Sequence, residues 1–270
     1  MKFDMGTAWR EAMAMISRNR EVLLVVAGIF FFLPSVVLGF TVGDVQEAML
    51  ADPENARAVL ISTYSQWSWL FALVTLVGAI GYLALLALLR DTARPTVGDA
   101  ITFGMIGLLP AVGTYLLISI ALGLVLAVLI AVSAAIGSGA ISFALGIVTM
   151  ILALYVVVKL SMAGPVIAIE KAFNPFKIIA RSWRLTKGNS VRLFLFYLLL
   201  FIAYFVIAIV ISGILGLVTV MAGTSAGLAI NAIASGLISA VVTVILLAVL
   251  AAVHRQLSGP SPAAISETFK

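Results

Sequence analysis

The stretch NPFKIIARSWRLTKGNS (residues 174–190) is a basic segment set between two long apolar runs. Asn174 followed by Pro175 is typical of a helix start, and Gly188 is typical of a helix end. Helical spacing then divides the remaining side chains between two faces. The apolar face holds Phe176, Ile179, Ala180 and Trp183, and the cationic face holds Lys177, Arg181 and Arg184, with Lys187 one turn further on. Such a helix is predicted to lie flat in the headgroup layer of a membrane, and we call it an elbow helix.

The composition of the whole chain predicts a membrane protein. Hydrophobic residues make up 63% of it and charged residues 10%, whereas soluble domains carry about 25% charged residues. Cysteine is absent, so the sequence offers neither a disulfide nor thiolate chemistry. The net charge of +5 comes from residues that flank apolar runs, which favours anionic phospholipids over nucleic acid as partners. No cofactor is indicated.

The apolar runs are long enough for six membrane spans, since each helical span needs about 20 residues. Two uncharged stretches, 100–158 and 193–253, are each long enough for two spans, and glycine-rich turns at 137–139 and 221–227 divide them. The other two predicted spans are 22–42 and 67–89. Fifteen of the sixteen Lys and Arg residues fall on one side of this arrangement, and only Arg57 falls on the other. This bias predicts that both termini are cytoplasmic.

The chain is predicted to contain an internal repeat. Three times a short amphipathic segment precedes a pair of spans, at 7–20, 96–109 and 174–187. Thr96 and Asp99 have the spacing of a capping box at the start of the second segment. The predicted fold is therefore all-α and polytopic, with six transmembrane helices as three repeats of an elbow helix plus a helical hairpin. The repeats cover about 1–90, 91–160 and 161–257, and 258–270 forms a short cytoplasmic tail.

The run PVIAIEKAFNPFKIIARSWRLTKGN (residues 165–189) resembles a known family. It is similar to the membrane domain of some glycerophosphoryl diester phosphodiesterases and to stand-alone, YciC-like bacterial inner-membrane proteins. The residues that carry the resemblance are Pro165, Glu170, Pro175, Ala180, Arg181, Ser182, Trp183, Leu185, Thr186, Lys187 and Gly188. The resemblance implies a multi-pass protein of the bacterial inner membrane with an unknown molecular role. Only HRQLSGPSPAAISETFK follows Val253, so a phosphodiesterase barrel and its activity are not expected here.

No catalytic or metal-binding set can be assembled from this sequence. The predicted spans contain essentially no ionisable residue, which argues against ion-coupled transport. His254 is the only histidine, and we expect an interfacial residue without a chemical role. The predicted helix-packing residues are Gly223, Gly227, Asn231 and Gly236; Asn231 either binds a neighbouring helix or lines a pathway.

Two interpretations of the elbow at 174–187 remain open. Its charges act only as a topology signal, or they form a headgroup-binding site of Lys177, Arg181, Arg184 and Lys187. The residues expected to shape the elbow are Glu170, Pro175, Trp183 and Gly188, and Glu170 either forms a surface ion pair or reaches back to Arg181 or Arg184.

The sequence favours a non-enzymatic accessory or scaffold protein that interacts with anionic phospholipid. A membrane or peripheral protein is a further candidate partner. The alternative is a permease or lipid transporter with an uncharged pathway. A transporter predicts a membrane-deep cavity lined by Asn231, Tyr82, Tyr155 or Tyr204, whereas a scaffold predicts a packed interior.

Overall fold

The computed structural model describes residues 2–43, 45–90 and 96–259, and within these ranges all regular structure is helical. The helices are α1 (Met5–Ala27), α2 (Leu33–Val42), α3 (Val45–Ala51), α4 (Ala56–Leu88), α5 (Val97–Ile136), α6 (Gly139–Leu160), α7 (Ala163–Ala168), α8 (Pro175–Leu185), α9 (Ser190–Ala222) and α10 (Thr224–Ser258). A π-helical turn (Gly28–Phe32) joins α1 to α2, and a 3-10 turn (Pro53–Asn55) precedes α4. From residue 260 onward, the predicted tail lies outside the described residues.

Within the described part of the chain, six helical segments are long and apolar enough to cross a membrane, which confirms the predicted all-α, six-span fold. They are Met5–Val42, Pro53–Leu88, Val97–Ile136, Gly139–Ala168, Ser190–Ala222 and Ala226–Ser258. Gly137 has φ 67° and ends α5, and Gly223 has φ 81° between α9 and α10. Glycine adopts these left-handed conformations without a Cβ penalty, so the predicted glycine-rich turns divide the spans as expected.

The three elbows differ in how they join their spans. The third is a separate helix, α8, because Asn174 caps its start and Gly188, with φ 81°, follows its end. The first is continuous with α1 and is only kinked, at Asn19, whose φ of −119° departs from the helix. The second is continuous with α5, and Pro110 lies inside that helix. Neither of these two junctions has a glycine with positive φ like Gly188, so the helical backbone continues into the span.

The predicted helix caps are present. Thr96 Oγ1 accepts a hydrogen bond from the Asp99 amide at 3.2 Å, and Asp99 Oδ2 accepts one from the Thr96 amide at 3.1 Å, which completes the capping box. Asn174 Oδ1 accepts from the amides of Phe176 and Lys177 at 3.0 and 3.2 Å. These side chains satisfy amide groups that have no partner within the helix.

The packed core lies at the end of the bundle that carries α8, which we call the basic end. Its buried segments include 83–89 in α4, 162–168 around α7 and 247–253 in α10. Away from this end, most side chains of α5, α6 and α9 are exposed at the surface of the protein. Because these surfaces are apolar, they match the hydrocarbon of a bilayer. The basic end is therefore the part of the molecule where tertiary contacts determine geometry.

Helix α10 packs against α2 and against α9 through small residues, as the sequence indicates for Gly227, Asn231 and Gly236. A Cβ added at Gly236 would lie 2.7 Å from Val36 Cγ2 and 3.0 Å from the Phe32 carbonyl oxygen. A Cβ at Gly227 would overlap Thr219, and Asn231 Nδ2 donates to Thr219 Oγ1 at 3.0 Å. Gly223 is different, because nothing lies within 4 Å of its Cβ position. It forms the turn and not a helix contact, which corrects its predicted place among the packing residues.

Candidate functional site

Helix α8 has three faces, one more than the sequence indicates. The third face contacts the protein: Ile178, Ser182 and Leu185 are buried at successive turns. Ser182 Oγ donates a 2.8 Å hydrogen bond to the Lys159 carbonyl at the end of α6. Thr186 Oγ1 donates to the Ser182 carbonyl at 3.1 Å and is also buried. The signal in the sequence was the pair of hydroxyls, since Ser182 and Thr186 lie four residues apart on one side of the helix.

The predicted apolar face of α8 points away from the protein core. Phe176 is 71% exposed and Trp183 is 40% exposed, as expected for side chains that contact lipid. The Trp183 ring packs edge-on against Tyr155, with centroids 5.7 Å apart. Lys159 Nζ lies 5.4 Å from the Trp183 ring centroid and 5.5 Å from that of Tyr155. Trp183 thus helps to attach the elbow to the end of α6 through aromatic and cation–π contacts.

Glu170 joins three parts of the chain. It lies between α7 and α8, and its carboxylate accepts hydrogen bonds from Arg181 Nε at 3.0 and 2.9 Å and from Arg181 Nη2 at 2.9 Å. His254 Nε2, from α10, lies 2.9 Å from Glu170 Oε1. A carboxylate only accepts hydrogen bonds, so Nε2 of His254 carries the proton. Glu170 thus reaches back to Arg181 of α8, and this ion pair lies at the surface of the protein.

The pKa of the Glu170 carboxyl reflects two opposing influences. Partial burial raises the pKa, because a charged group loses hydration. The hydrogen bonds from His254 and Arg181, with their charges, lower it by more. The pKa therefore falls from 4.5 to about 2. At neutral pH the carboxylate is ionised and holds α8, α10 and the link after α7 together.

His254, which was expected to be an interfacial residue without a chemical role, pairs with Glu170, and the expectation about its role stays a prediction. Its side chain is only 4% exposed, and it bonds to a residue 84 positions earlier. No regular spacing connects two such distant residues, so the sequence offered no signal for the pair. Among the described residues no cluster of three or more His, Asp or Glu side chains could hold a metal ion.

The Glu170 contacts alter the predicted headgroup site. Glu170 engages the edge of the Arg181 guanidinium formed by Nε and Nη2, so only the other edge of this group remains to meet a phosphate together with Arg184. Lys177, Arg184 and Lys187 are exposed. No acidic side chain among the described residues forms a salt bridge with any of these three. We call Lys177, Arg184 and Lys187 the basic face of α8.

A large apolar cavity lies between α4, α5, α7 and α10. Its volume is about 720 Å³. Residues from all four helices line it, including Leu76, Tyr82, Ala111, Tyr115, Gly164 and Leu246. The Tyr82 hydroxyl lies directly against Gly164, where a Cβ would overlap it. The interior is therefore not fully packed, which is one of the features that the transporter interpretation predicts.

A smaller hollow of about 320 Å³ lies between α9 and α10 and is more polar. Tyr204, Ser212, Ser235, Ser239 and Thr243 line it, and Thr243 also lines the larger cavity. Of the four residues predicted for a membrane-deep cavity, Tyr82 and Tyr204 each line one of the two. Asn231 and Tyr155 line neither, because Asn231 bonds to Thr219 and Tyr155 packs against Trp183.

The fold and composition define a multi-pass helical membrane protein. Within that class, the chain belongs to the family described as Domain of unknown function (DUF7847), whose model matches residues 4–257. No curated protein matches it. No solved structure matches it. The resemblance to the membrane domain of glycerophosphoryl diester phosphodiesterases stays a prediction.

Proposed function

We propose that this chain is a non-enzymatic accessory or scaffold protein of the membrane that binds anionic phospholipid headgroups at the basic face of α8. The observation that carries the proposal is the arrangement of Lys177, Arg184 and Lys187: all three are exposed, and they have no acidic partner among the described residues. The buried face of α8 holds the helix in place, so the three cations are presented from a rigid support.

The magnitudes favour recognition over anchoring. Each Lys or Arg near an anionic leaflet contributes about 1 kcal/mol, whereas the spans on either side already hold α8 in the membrane. A basic face is therefore not needed to keep the helix at the surface. Arg184 supplies a planar guanidinium that can donate two hydrogen bonds to one phosphate, with Lys177 and Lys187 as additional positive charges.

The resemblance to the phosphodiesterase membrane domain supports a glycerophospholipid as the bound species. It also supports a place in the bacterial inner membrane, with a membrane or peripheral protein as a further partner. The orientation with both termini in the cytoplasm rests on the distribution of Lys and Arg.

Changing Lys177, Arg184 and Lys187 together to Gln is expected to lower the retention of phosphatidylglycerol by about tenfold, since up to roughly 3 kcal/mol of attraction is removed and part of it is screened by salt. Native mass spectrometry of the detergent-solubilised protein measures the bound lipid. The control changes Arg18, Arg20 and Arg192 to Gln, which removes equal charge from the basic end without touching α8. Equal loss of phosphatidylglycerol in both triple variants would show that retention depends on the total positive charge and not on the basic face. The basic face would then act only as a topology signal.

The topology is tested with reporters. A reporter fused after Lys270 is expected to be cytoplasmic, and one inserted beside Asp52 is expected on the opposite side, because the Lys and Arg bias is fifteen to one. Alkaline phosphatase and green fluorescent protein fusions give opposite signals on the two sides. An active phosphatase at the C-terminus would reject the proposed orientation.

A lipid transporter is the second candidate, and the 720 Å³ cavity favours it. A transporter is expected to move fluorescent phospholipid between the leaflets of proteoliposomes. Dithionite, which reaches only the outer leaflet, is then expected to quench more than half of the fluorescence, because labelled lipid moves outward from the inner leaflet. Quenching equal to that of protein-free vesicles would contradict the transporter function and leave the scaffold proposal.

A further inference from the structure

The cavity between α4, α5, α7 and α10 has the chemistry of a lipid-tail site. Its volume of about 720 Å³ falls in the range of about 300–1,000 Å³ that is typical of ligand pockets. Among the described residues no charged side chain lines it, and its polar side-chain groups are hydroxyls, including those of Thr75, Tyr82 and Tyr115. The walls therefore match an uncharged hydrocarbon with few hydrogen-bonding atoms.

The cavity opens toward the bilayer and not only toward water. Among the described helices α4 packs against both α5 and α10, whereas α5 and α10 make at most marginal contact with each other. Lining side chains on three of these helices are exposed, among them Leu76, Leu116 and Leu246. A ligand can thus enter sideways, between α5 and α10, from the lipid phase.

The depth of the cavity fits a lipid tail whose headgroup lies at the basic end. The lining residues of α4 and α10 lie roughly 8–23 Å from the ends of these helices, at 1.5 Å per residue. Tyr82 is six residues from the end of α4, at a depth of roughly 9 Å. Its hydroxyl is therefore near the level at which ester oxygens of a phospholipid accept hydrogen bonds.

Helix α7 connects the cavity to α8. Gly164 and Ile167 of α7 line the cavity, and α7 packs against α8. On α5, the Cβ position of Gly113 lies 3.3 Å from Cγ of Pro175, the first residue of α8, on a face turned away from the cavity-lining residues. Lys177 follows Pro175 by two residues and belongs to the basic face. The apolar cavity and the cationic helix are thus joined through α7, in the order in which a phospholipid presents its tail and its charge.

We propose that the cavity holds an acyl chain of an anionic phospholipid whose headgroup meets the basic face of α8. This inference rests on the proposed function for the headgroup and adds a separate site for the tail. The complementarity is of two kinds, since hydrocarbon meets apolar walls and phosphate meets Lys and Arg side chains. The acyl chain of such a lipid lies within the bundle, between α5 and α10.

The decisive change is Gly78→Phe. Gly78 lines the cavity, and no atom lies within 4 Å of its Cβ position. A phenyl ring there is accommodated by open space, so the helices need not move. The matched control is Gly123→Phe on α5, which is exposed and also has nothing within 4 Å of its Cβ position. Gly123 does not line this cavity. Should Gly78→Phe fail to fold, Gly78→Leu tests the same space with a smaller side chain.

The probe is phosphatidylglycerol with a diazirine near the end of one acyl chain, incorporated into nanodiscs with the full-length protein. Cross-linked peptides are identified by mass spectrometry after illumination. Wild type and Gly123→Phe are expected to be labelled on cavity-lining residues of α4, α5 and α10. Gly78→Phe is expected to lower that labelling by at least about fivefold. It should leave the labelling of the exposed side chains of α9 unchanged.

Phosphatidylcholine with the same diazirine separates the two proposals. Preferential labelling by phosphatidylglycerol that disappears in the Lys177, Arg184 and Lys187 triple variant supports both. Equal cavity labelling by the two lipids supports the tail site and contradicts the headgroup proposal. Phosphatidylglycerol retention by the basic face, with cavity labelling that Gly78→Phe does not change, overturns the tail site alone.

Discussion

Replacing Glu170 with Gln is expected to destabilise the protein at neutral pH by about 2 kcal/mol, the range for hydrogen bonds to a charged group. The change removes the negative charge that Arg181 and His254 share, and His254 is too deeply buried to find water as a substitute partner. The midpoint of thermal unfolding in detergent, followed by size-exclusion chromatography after heating, measures the loss. Glu54→Gln is the control, because Glu54 lies exposed in the turn between α3 and α4.

The pH dependence provides an independent check on the same residue. The pKa of Glu170 is lowered from 4.5 to about 2 in the folded protein. A lowered pKa stabilises the fold above the unfolded value, and the contribution is lost as the pH falls through the folded value. The difference in stability between wild type and Glu170→Gln should therefore be full above about pH 4.5 and shrink between pH 4.5 and about 2. A difference that stays constant over this interval would show that the carboxylate does not hold the elbow in place.

Replacing Gly236 with Leu is expected to prevent α2 and α10 from packing, at a cost of about 3 kcal/mol or more. The added side chain would meet the Phe32 carbonyl oxygen, which is backbone and cannot turn aside, as well as Val36. The gain in helix propensity from Gly to Leu is only about 1 kcal/mol, so the clash decides the sign. The expected result is a lower unfolding temperature and a smaller monodisperse fraction on gel filtration.

The matched control is Gly216→Leu on α9. Gly216 is exposed, and nothing lies within 4 Å of its Cβ position. This variant keeps the propensity gain and meets no neighbour, so its stability should equal or slightly exceed that of the wild type. If Gly236→Leu proved as stable as Gly216→Leu, the contact between α2 and α10 would not contribute to the fold.

The elements that could be predicted are those that depend on local chemistry. The capping box of Thr96 and Asp99, the Asn174 cap and the turn at Gly137 each involve residues within a few positions of each other. The six spans could also be predicted, because the length of each apolar run can be counted directly in the sequence. The junctions of the first two elbows were harder to predict, since Asn19 and Pro110 disturb a helix without ending it.

The candidate site was predicted only in part, because its residues come from distant segments. The spacing of Lys177, Arg181 and Arg184 placed three cations on one side of a helix. It did not show that Arg181 is engaged by Glu170, or that His254 completes the group from α10. The buried face of Ile178, Ser182 and Leu185 was missed for the same reason. The hydroxyl of Ser182 on this face is explained only by its hydrogen bond to the Lys159 carbonyl, which belongs to another helix.

The sequence by itself determined that this chain is a six-span helical membrane protein with a charged end, because hydropathy, helix caps and the positions of Lys and Arg are properties of short segments. Only the tertiary structure decided which cations remain exposed, which carboxylate pairs with the buried His254, and where a cavity of about 720 Å³ remains. The physical reason is that membrane helices are all apolar on the outside. Their relative positions depend on side-chain contacts and hydrogen bonds between helices, and these have no periodic signature in the sequence.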